Sequence, residues 1–105
     1  MSSIHHLNTP DEDTPLEKLK GLGPKSAAQL HQLGLHTKGD LAQIGPVEAF
    51  CQLKKKGIVN PSLNFLYAMV GALENKHWLS IAQEEKTALL LALDGQEELH
   101  RILAS

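Results

Sequence analysis

The sequence predicts an all-α protein, a compact bundle of about five to six helices. No segment alternates apolar and polar residues with the period of two that a half-buried strand requires. Apolar side chains instead recur at helical spacing, as at Leu63, Leu66 and Val70. Helix-starting signals recur as well, because Pro24 and Pro46 suit the first turn of a helix, where an N–H group needs no intrahelical acceptor.

Four short helices are predicted in the first half of the chain, each from a local signal. The first begins after Thr14, with Pro15 at its first position, and runs to about Lys20. Thr37 and Asp40 have the spacing of a capping box, which predicts the start of the third helix. The second, third and fourth helices are predicted over residues 24–33, 37–44 and 46–56.

A fifth helix is predicted from the signal Asn60-Pro61-Ser62 to about Glu74. It is apolar almost all round, so we expect it to be the central and most buried helix. Gly71 in its interior costs about 1 kcal/mol relative to alanine. A glycine at this cost in a helix interior indicates that another helix crosses closely at this point.

The last predicted helix starts at a capping box formed by Ser80 and Gln83. The pair Asp94-Gly95 predicts a break before the leucines at the end of the chain. All helices are assigned to a single domain over residues 14–105, and residues 1–13 are predicted to be a flexible polar tail.

The composition fits one small domain of an ordinary soluble kind. At 105 residues with 42% hydrophobic content, the chain can bury a single modest core. No run approaches the roughly 20 apolar residues of a membrane span, so we expect no membrane association. Cys51 is the only cysteine and cannot form an internal disulfide, which predicts a reducing, cytoplasmic setting.

The formal net charge of −2 conceals an uneven distribution of charge along the chain. Residues 1–17 carry four acids and no lysine or arginine. Residues 18–60, in contrast, carry seven lysines against two acids. Residues 61–105 are again acidic on balance. The positive stretch suits a local contact with phosphate and argues against a broad nucleic-acid footprint.

The stretch Gly21-Leu22-Gly23-Pro24, between the first two helices, has the pattern of a helix-hairpin-helix. The glycines permit a tight turn with positive φ, and backbone N–H groups at the start of the next helix can hold a phosphate. The candidate residues for contact with a nucleic-acid backbone are Lys20, Gly21, Leu22, Gly23, Lys25 and Ser26. The expected contact with duplex DNA is non-specific and weak, on the order of 10⁻⁴ M at physiological salt. The other interpretation is that the glycines only let two helices pack at a tight angle.

Several motifs, in the order in which they occur, resemble the C-terminal domain of the TfoX/Sxy family of competence regulators. They are Leu-Gly-Pro-Lys-Ser-Ala at 22–27, Leu-Gly-Leu-His-Thr at 33–37, Pro-Ser-Leu-Asn-Phe-Leu-Tyr-Ala-Met at 61–69, Gly-Ala-Leu at 71–73 and His-Trp at 77–78. The resemblance implies an all-α bundle whose N-terminal half is a helix-hairpin-helix (SAM-like) unit. It also implies a role in transcription regulation, because longer members of the family resemble activators of DNA-uptake genes that act with the cyclic-AMP receptor protein.

Those longer members carry an additional N-terminal domain. Only a tail precedes the first predicted helix here, so the chain is expected to be either a stand-alone relative, which the tail favours, or an excised domain. A separate TfoX N-terminal-type domain is a candidate partner. The first half also resembles the C-terminal domain of the RNA polymerase alpha subunit and several DNA repair proteins, in which hairpin amides meet the DNA backbone. Lys20 stands where many DNA-binding versions have proline.

A second group of candidate residues points to protein partners. Trp78 is the only tryptophan, and tryptophan is enriched in the centres of protein interfaces. Leu99 and Ile102 lie beyond the predicted break and are candidates for the same kind of contact. The alternative function is therefore a protein–protein interaction module without nucleic-acid binding.

No catalytic, metal or cofactor site is predicted. His31 and His36 have no cysteine partner at zinc-ligand spacing, and the adjacent His5 and His6 lie in the predicted tail. Cys51 lies on an apolar helix and is interpreted as a small buried hydrophobe. The sequence thus predicts a non-enzymatic regulatory module that contacts DNA, a transcription-related protein, or both.

Overall fold

Six α-helices make up most of the protein in the computed structural model, which describes residues 10–104. In chain order they are α1 (Pro24–His31), α2 (Lys38–Ile44), α3 (Pro46–Lys55), α4 (Leu63–Glu74), α5 (Trp78–Glu84) and α6 (Lys86–Ala104). Among the described residues, two 3-10 turns precede them, at Pro10–Asp13 and Leu16–Lys18. Within residues 10–104 there is no strand, only an isolated bridge between Pro15 and Thr37. The prediction of an all-α bundle is confirmed.

The start of α2 is fixed by the predicted capping box. The Thr37 hydroxyl accepts a hydrogen bond from the Asp40 amide at 3.1 Å, and the Asp40 carboxylate accepts one from the Thr37 amide at 3.2 Å. The carboxylate also accepts from the His36 amide at 2.9 Å. These backbone hydrogen bonds, from His36 and then Thr37, hold the pKa of Asp40 below its usual value. The His36 carbonyl in turn accepts from the Leu16 amide at 3.0 Å, which joins the beginning of the fold to α2.

The core is made of aliphatic side chains, and almost every element contributes to it. The largest fully buried side chains are Leu16, Leu30, Leu41, Leu53, Leu66, Met69 and Ile81. The helix α4 supplies more buried residues than any other, which confirms its predicted central place. It packs against α3 and α5, while α3 packs against α6. The contribution of α6 to the core is Leu93.

The first predicted helix is shorter than the sequence suggests. Residues 16–18 form a single 3-10 turn, after which Leu19 is extended, with φ −77° and ψ 136°. Leu16 is fully buried in the core, so tertiary packing holds this turn although it is too short to be stable alone.

The two predictions for the C-terminal helices are wrong. The break lies at Glu85, between α5 and α6, and α6 continues through Asp94-Gly95. A glycine inside a helix costs only about 1 kcal/mol, and hydrogen bonds from Gln96 and His100 to α3 hold the helix in place beyond that point. The cap of α5 is His77 rather than Ser80.

No helix within the described range has both the length and the apolar character needed to cross a membrane.

Candidate functional site

The hairpin turn, residues 19–23, connects the second 3-10 turn, Leu16–Lys18, to α1. Gly21 has φ +93°, a value that residues with side chains rarely adopt. The Leu22 side chain is buried, and its amide donates to the Leu19 carbonyl at 3.2 Å. Among the predicted phosphate-binding residues, Leu22 therefore uses its amide within the turn and anchors the turn in the core.

The N-terminus of α1 presents amides that the helix itself does not use. Gly23 is the N-cap, Pro24 is the first helical residue, and no side chain caps the helix. The first helical hydrogen bond runs from the Ala27 amide to the Gly23 carbonyl at 3.0 Å. The amides of Lys25 and Ser26 precede it and have no intrahelical acceptor. Such a helix end is suited to an anion.

A cleft of about 460 Å³ lies between the hairpin turn and the end of α4. We call it the hairpin cleft. One side is formed by Lys20 and Gly21, and the other by Gly71 and residues 75–78. The structure thus brings two predicted nucleic-acid contacts into the same cleft as Trp78, the predicted partner anchor.

The far wall of the hairpin cleft is shaped by the way α4 ends. Asn75 adopts a left-handed conformation with φ 59°, and its amide donates to the Gly71 carbonyl. The Lys76 amide donates to the same carbonyl at 2.8 Å. The Lys76 carbonyl then folds back over Gly71, where a Cβ would overlap it. A close approach at Gly71 was expected, but the neighbour is the loop after α4 and not a crossing helix.

The histidine–tryptophan pair begins α5. His77 Nδ1 accepts a hydrogen bond from the Leu79 amide at 3.1 Å. In the neutral ring the proton therefore lies on Nε2, which is free to act as a donor. The ring centroids of His77 and Trp78 are 5.6 Å apart, and 38% of Trp78 is exposed. An aromatic surface is thus available at the edge of the hairpin cleft.

The charges around the hairpin cleft differ between its two sides. The Lys76 ammonium lies 3.8 Å from carboxylate oxygens of both Glu74 and Glu84. A hydrogen bond with Glu74 raises the pKa of the nearby Glu85. On the hairpin side, Lys20 is exposed and has no ion-pair partner within residues 10–104. The hairpin side is therefore the more positive of the two.

The other predicted partner-binding residues lie on α6 and do not line the hairpin cleft. Leu99 is 45% exposed and Ile102 is 60% exposed. Leu91 and Leu103 are also exposed and, at helical spacing, share this side of α6. The structure therefore places the partner-binding candidates at two separate locations.

A polar cluster between α3 and α6 was not predicted. The Glu48 carboxylate accepts hydrogen bonds from Gln52 at 2.7 Å and Gln96 at 2.5 Å, and lies 2.8 Å from His100 Nε2. Burial alone would raise the pKa of Glu48, but these hydrogen bonds bring it below the usual value. The spacing of Gln96 and His100 puts both on one face of a helix, but their partner on α3 is distant in the sequence.

The region beside this cluster contains Cys51 and the three lysines at the end of α3. Lys54 lies 3.3 Å from the Glu97 carboxylate, whereas Lys55 and Lys56 are exposed at the end of α3. Cys51 is buried, as predicted, and burial raises the pKa of its thiol to about 11. Cys51 is therefore a poor nucleophile near neutral pH.

Of the four histidines considered as metal ligands, the structure describes two, His31 and His36. The rings of His31 and His36 lie close together, with centroids 4.9 Å apart and planes inclined by 31°. His5 and His6 lie outside the described residues. Within residues 10–104, no group of three or more histidine, cysteine or acidic side chains is arranged to hold a metal ion.

One comparison with known proteins gave a match. A family model described as the TfoX C-terminal domain matches residues 12–93 of the 105-residue chain. The matched range contains the hairpin turn, the hairpin cleft and the buried Leu93, but not the exposed Leu99 and Ile102. No curated protein and no solved structure matched the chain.

Proposed function

The chain belongs to the TfoX C-terminal domain family, and we propose that it is a non-enzymatic regulatory module that contacts the phosphate backbone of DNA. The contact is made by the hairpin turn and the first turn of α1. Gly23, Lys25 and Ser26 supply amides, while Lys20 and Lys25 supply ammonium groups. The proposed role of this contact is in gene regulation.

The observation that carries this proposal is the unfavourable charge at the start of α1. The first turn has no acidic residue, and Lys25 occupies its second position. A cation there opposes the positive end of the helix dipole, which costs about 0.3–1 kcal/mol at an exposed site. A phosphate bound at the unpaired amides reverses that penalty, since its negative charge satisfies both the lysine and the helix end.

The distribution of charge supports a contact of limited extent. The lysine-rich stretch of residues 18–60 contains the hairpin turn, while the segments on both sides are acidic. Each phosphate neutralised on duplex DNA changes the slope of log K against log salt by about −0.9. With Lys20 and Lys25 as the main cations, we expect a total slope of about −2.

The test is the binding of a short labelled duplex at a series of low salt concentrations, measured by fluorescence anisotropy. We expect Lys25→Glu to weaken binding and to reduce the salt slope by about 1, while raising the thermal stability of the protein because an acid now faces the helix dipole. The matched control is Lys86→Glu, the same charge reversal in the first turn of α6. Equal binding by wild type, Lys25→Glu and Lys86→Glu would refute the proposal.

A second candidate function is supported by the exposed side of α6. Leu99 and Ile102 present apolar surface to solvent, with exposed fractions of 45% and 60%. We propose as the alternative that this surface binds a transcription-related protein or a separate TfoX N-terminal-type domain. Titration calorimetry with such a purified domain tests it: the double variant Leu99→Ala/Ile102→Ala should lose binding while Lys25→Glu keeps it. Unchanged affinity of the double variant would exclude this role for α6.

A further inference from the structure

We infer that the hairpin cleft accepts an unstacked nucleobase, which packs on Trp78 while its phosphate is held by Lys20. The inference rests on the proposed function, because it assumes that the hairpin turn positions a nucleic-acid backbone. It goes beyond that function because contact with the phosphate backbone does not require an unpaired base. The expected ligand is a single-stranded or locally opened segment of nucleic acid.

The size and lining of the hairpin cleft suit a base with its phosphate. Its volume of about 460 Å³ lies within the range of about 300–1,000 Å³ that is typical of small-ligand sites. Trp78 provides an aromatic surface at its edge. Gly21 is exposed and presents backbone without a side chain, so a flat group can approach that wall closely.

The polar groups are placed for the rest of a nucleotide. Lys20 has no ion-pair partner within residues 10–104, so its ammonium is available for a phosphate. His77 Nδ1 is occupied by the Leu79 amide, which leaves the Nε2 proton to be donated to a base or sugar oxygen. Lys76 is partly neutralised by Glu74 and Glu84, so the positive charge is concentrated on the hairpin side.

A paired base cannot use this site. In a duplex both faces of a base are covered by its neighbours, whereas a single-stranded base can stack on an aromatic side chain. Stacking of this kind contributes about 1–3 kcal/mol per base by alanine substitution, which is about 5- to 150-fold in affinity. The hairpin cleft therefore predicts a preference for single strands that the hairpin turn alone does not give.

The experiment compares oligothymidylate with a duplex of the same length, using the fluorescence of Trp78. Because Trp78 is the only tryptophan, quenching of its emission reports stacking directly. We expect saturable quenching by the single strand and little by the duplex. Trp78→Ala should lower single-strand affinity about 5- to 150-fold, as measured by anisotropy of a labelled strand. Trp78→Phe should retain most of it, and Thr87→Ala, at an exposed position on α6, should retain all of it.

The outcomes separate this inference from the proposed function. If Lys25→Glu weakens duplex binding but the single strand neither quenches Trp78 nor loses affinity in Trp78→Ala, the base site is refuted and the backbone contact stands. If neither nucleic acid binds at low salt, both fail. A free nucleotide has the same base and phosphate as a nucleotide within a strand, and thymidine monophosphate tests this possibility. If thymidine monophosphate saturates the quenching of Trp78 at a concentration equal to or lower than that of the oligonucleotide, a strand-binding site is refuted. Circular dichroism of Trp78→Ala and of the conservative variant Trp78→Phe verifies that both comparisons are made on folded protein.

Discussion

Replacing Gly71 by alanine and replacing Gly95 by alanine are the same chemical change in two helix interiors, and we expect them to change stability in opposite directions. Gly71 is buried in α4, and a Cβ there would overlap the Lys76 carbonyl oxygen and lie 3.5 Å from the Trp78 amide nitrogen. Gly95 is exposed on α6, and a Cβ there would have no neighbour within 4 Å. Comparing the two variants therefore distinguishes the effect of helix propensity on stability from the effect of a steric overlap at the new Cβ.

The expected magnitudes follow from these surroundings. Gly95→Ala should gain the propensity difference alone, about 0.5–1 kcal/mol. Gly71→Ala gains the same amount but forces the Lys76 carbonyl to move, and overpacking of this kind costs about 1–3 kcal/mol. We therefore expect a net loss of about 1–2 kcal/mol for Gly71→Ala.

Thermal unfolding followed by circular dichroism at 222 nm measures both effects, and 1 kcal/mol corresponds to about 4–8 °C in Tm for a domain of this size. Urea unfolding provides the free energies independently, provided that the m-value is unchanged. A Gly71→Ala protein as stable as wild type would mean that the loop after α4 yields easily. The overlap at Gly71 would then not be the reason for glycine at this position.

Four further substitutions or measurements test other parts of the fold. Thr37→Ala should destabilise the protein by about 0.5–2 kcal/mol in urea unfolding, because it removes the cap of α2; Thr37→Ser, which keeps the hydroxyl, is the control. Since the pKa of Asp40 is lowered in the folded state, its contribution is complete above the usual value of 3.8 and is lost as pH falls through the folded-state pKa; Asp40→Asn should flatten this acid-side loss of Tm, and an unchanged profile would contradict the assignment. The thiol of Cys51, whose pKa is about 11, should react with an aromatic disulfide reagent at pH 8 only after denaturation; rapid reaction of the native protein would contradict its burial. Glu48→Gln should lower stability by about 1–3 kcal/mol, because hydrogen bonds to α6 are weakened or lost; Glu98→Gln on the exposed side of α6 should change little.

The elements predicted correctly are those whose signals are contained within a few residues. The capping box of Thr37 and Asp40 spans one helical turn, and Pro24 and Pro46 each mark the first position of a helix. These signals are local because they depend on the hydrogen bonds of a single helix end. These helix ends form in the folded protein as predicted, because tertiary packing leaves their local hydrogen bonds in place.

The elements that were wrong depend on contacts between distant parts of the chain. Nothing near Gly95 reveals that α6 continues, because the support comes from Glu48 on α3. His77 is an uncommon helix cap, and its role depends on how the loop after α4 folds back over Gly71. The hairpin cleft could not be predicted for the same reason, since Lys20 and Trp78 come together only through the packing of α4.

The two glycines of the hairpin cleft are required for different reasons, and this determines what the site can tolerate. Gly21 has positive φ, so a side chain would strain its backbone even though the nearest atom to a Cβ is 3.9 Å away. Gly71 has ordinary helical φ but no space for a Cβ. One wall is therefore fixed by conformation and the other by packing, and neither can gain a side chain without a cost to the fold. The charge comes from the exposed Lys20, so it can be altered separately from stability, whereas Trp78 is only 38% exposed and its replacement also removes packed apolar surface.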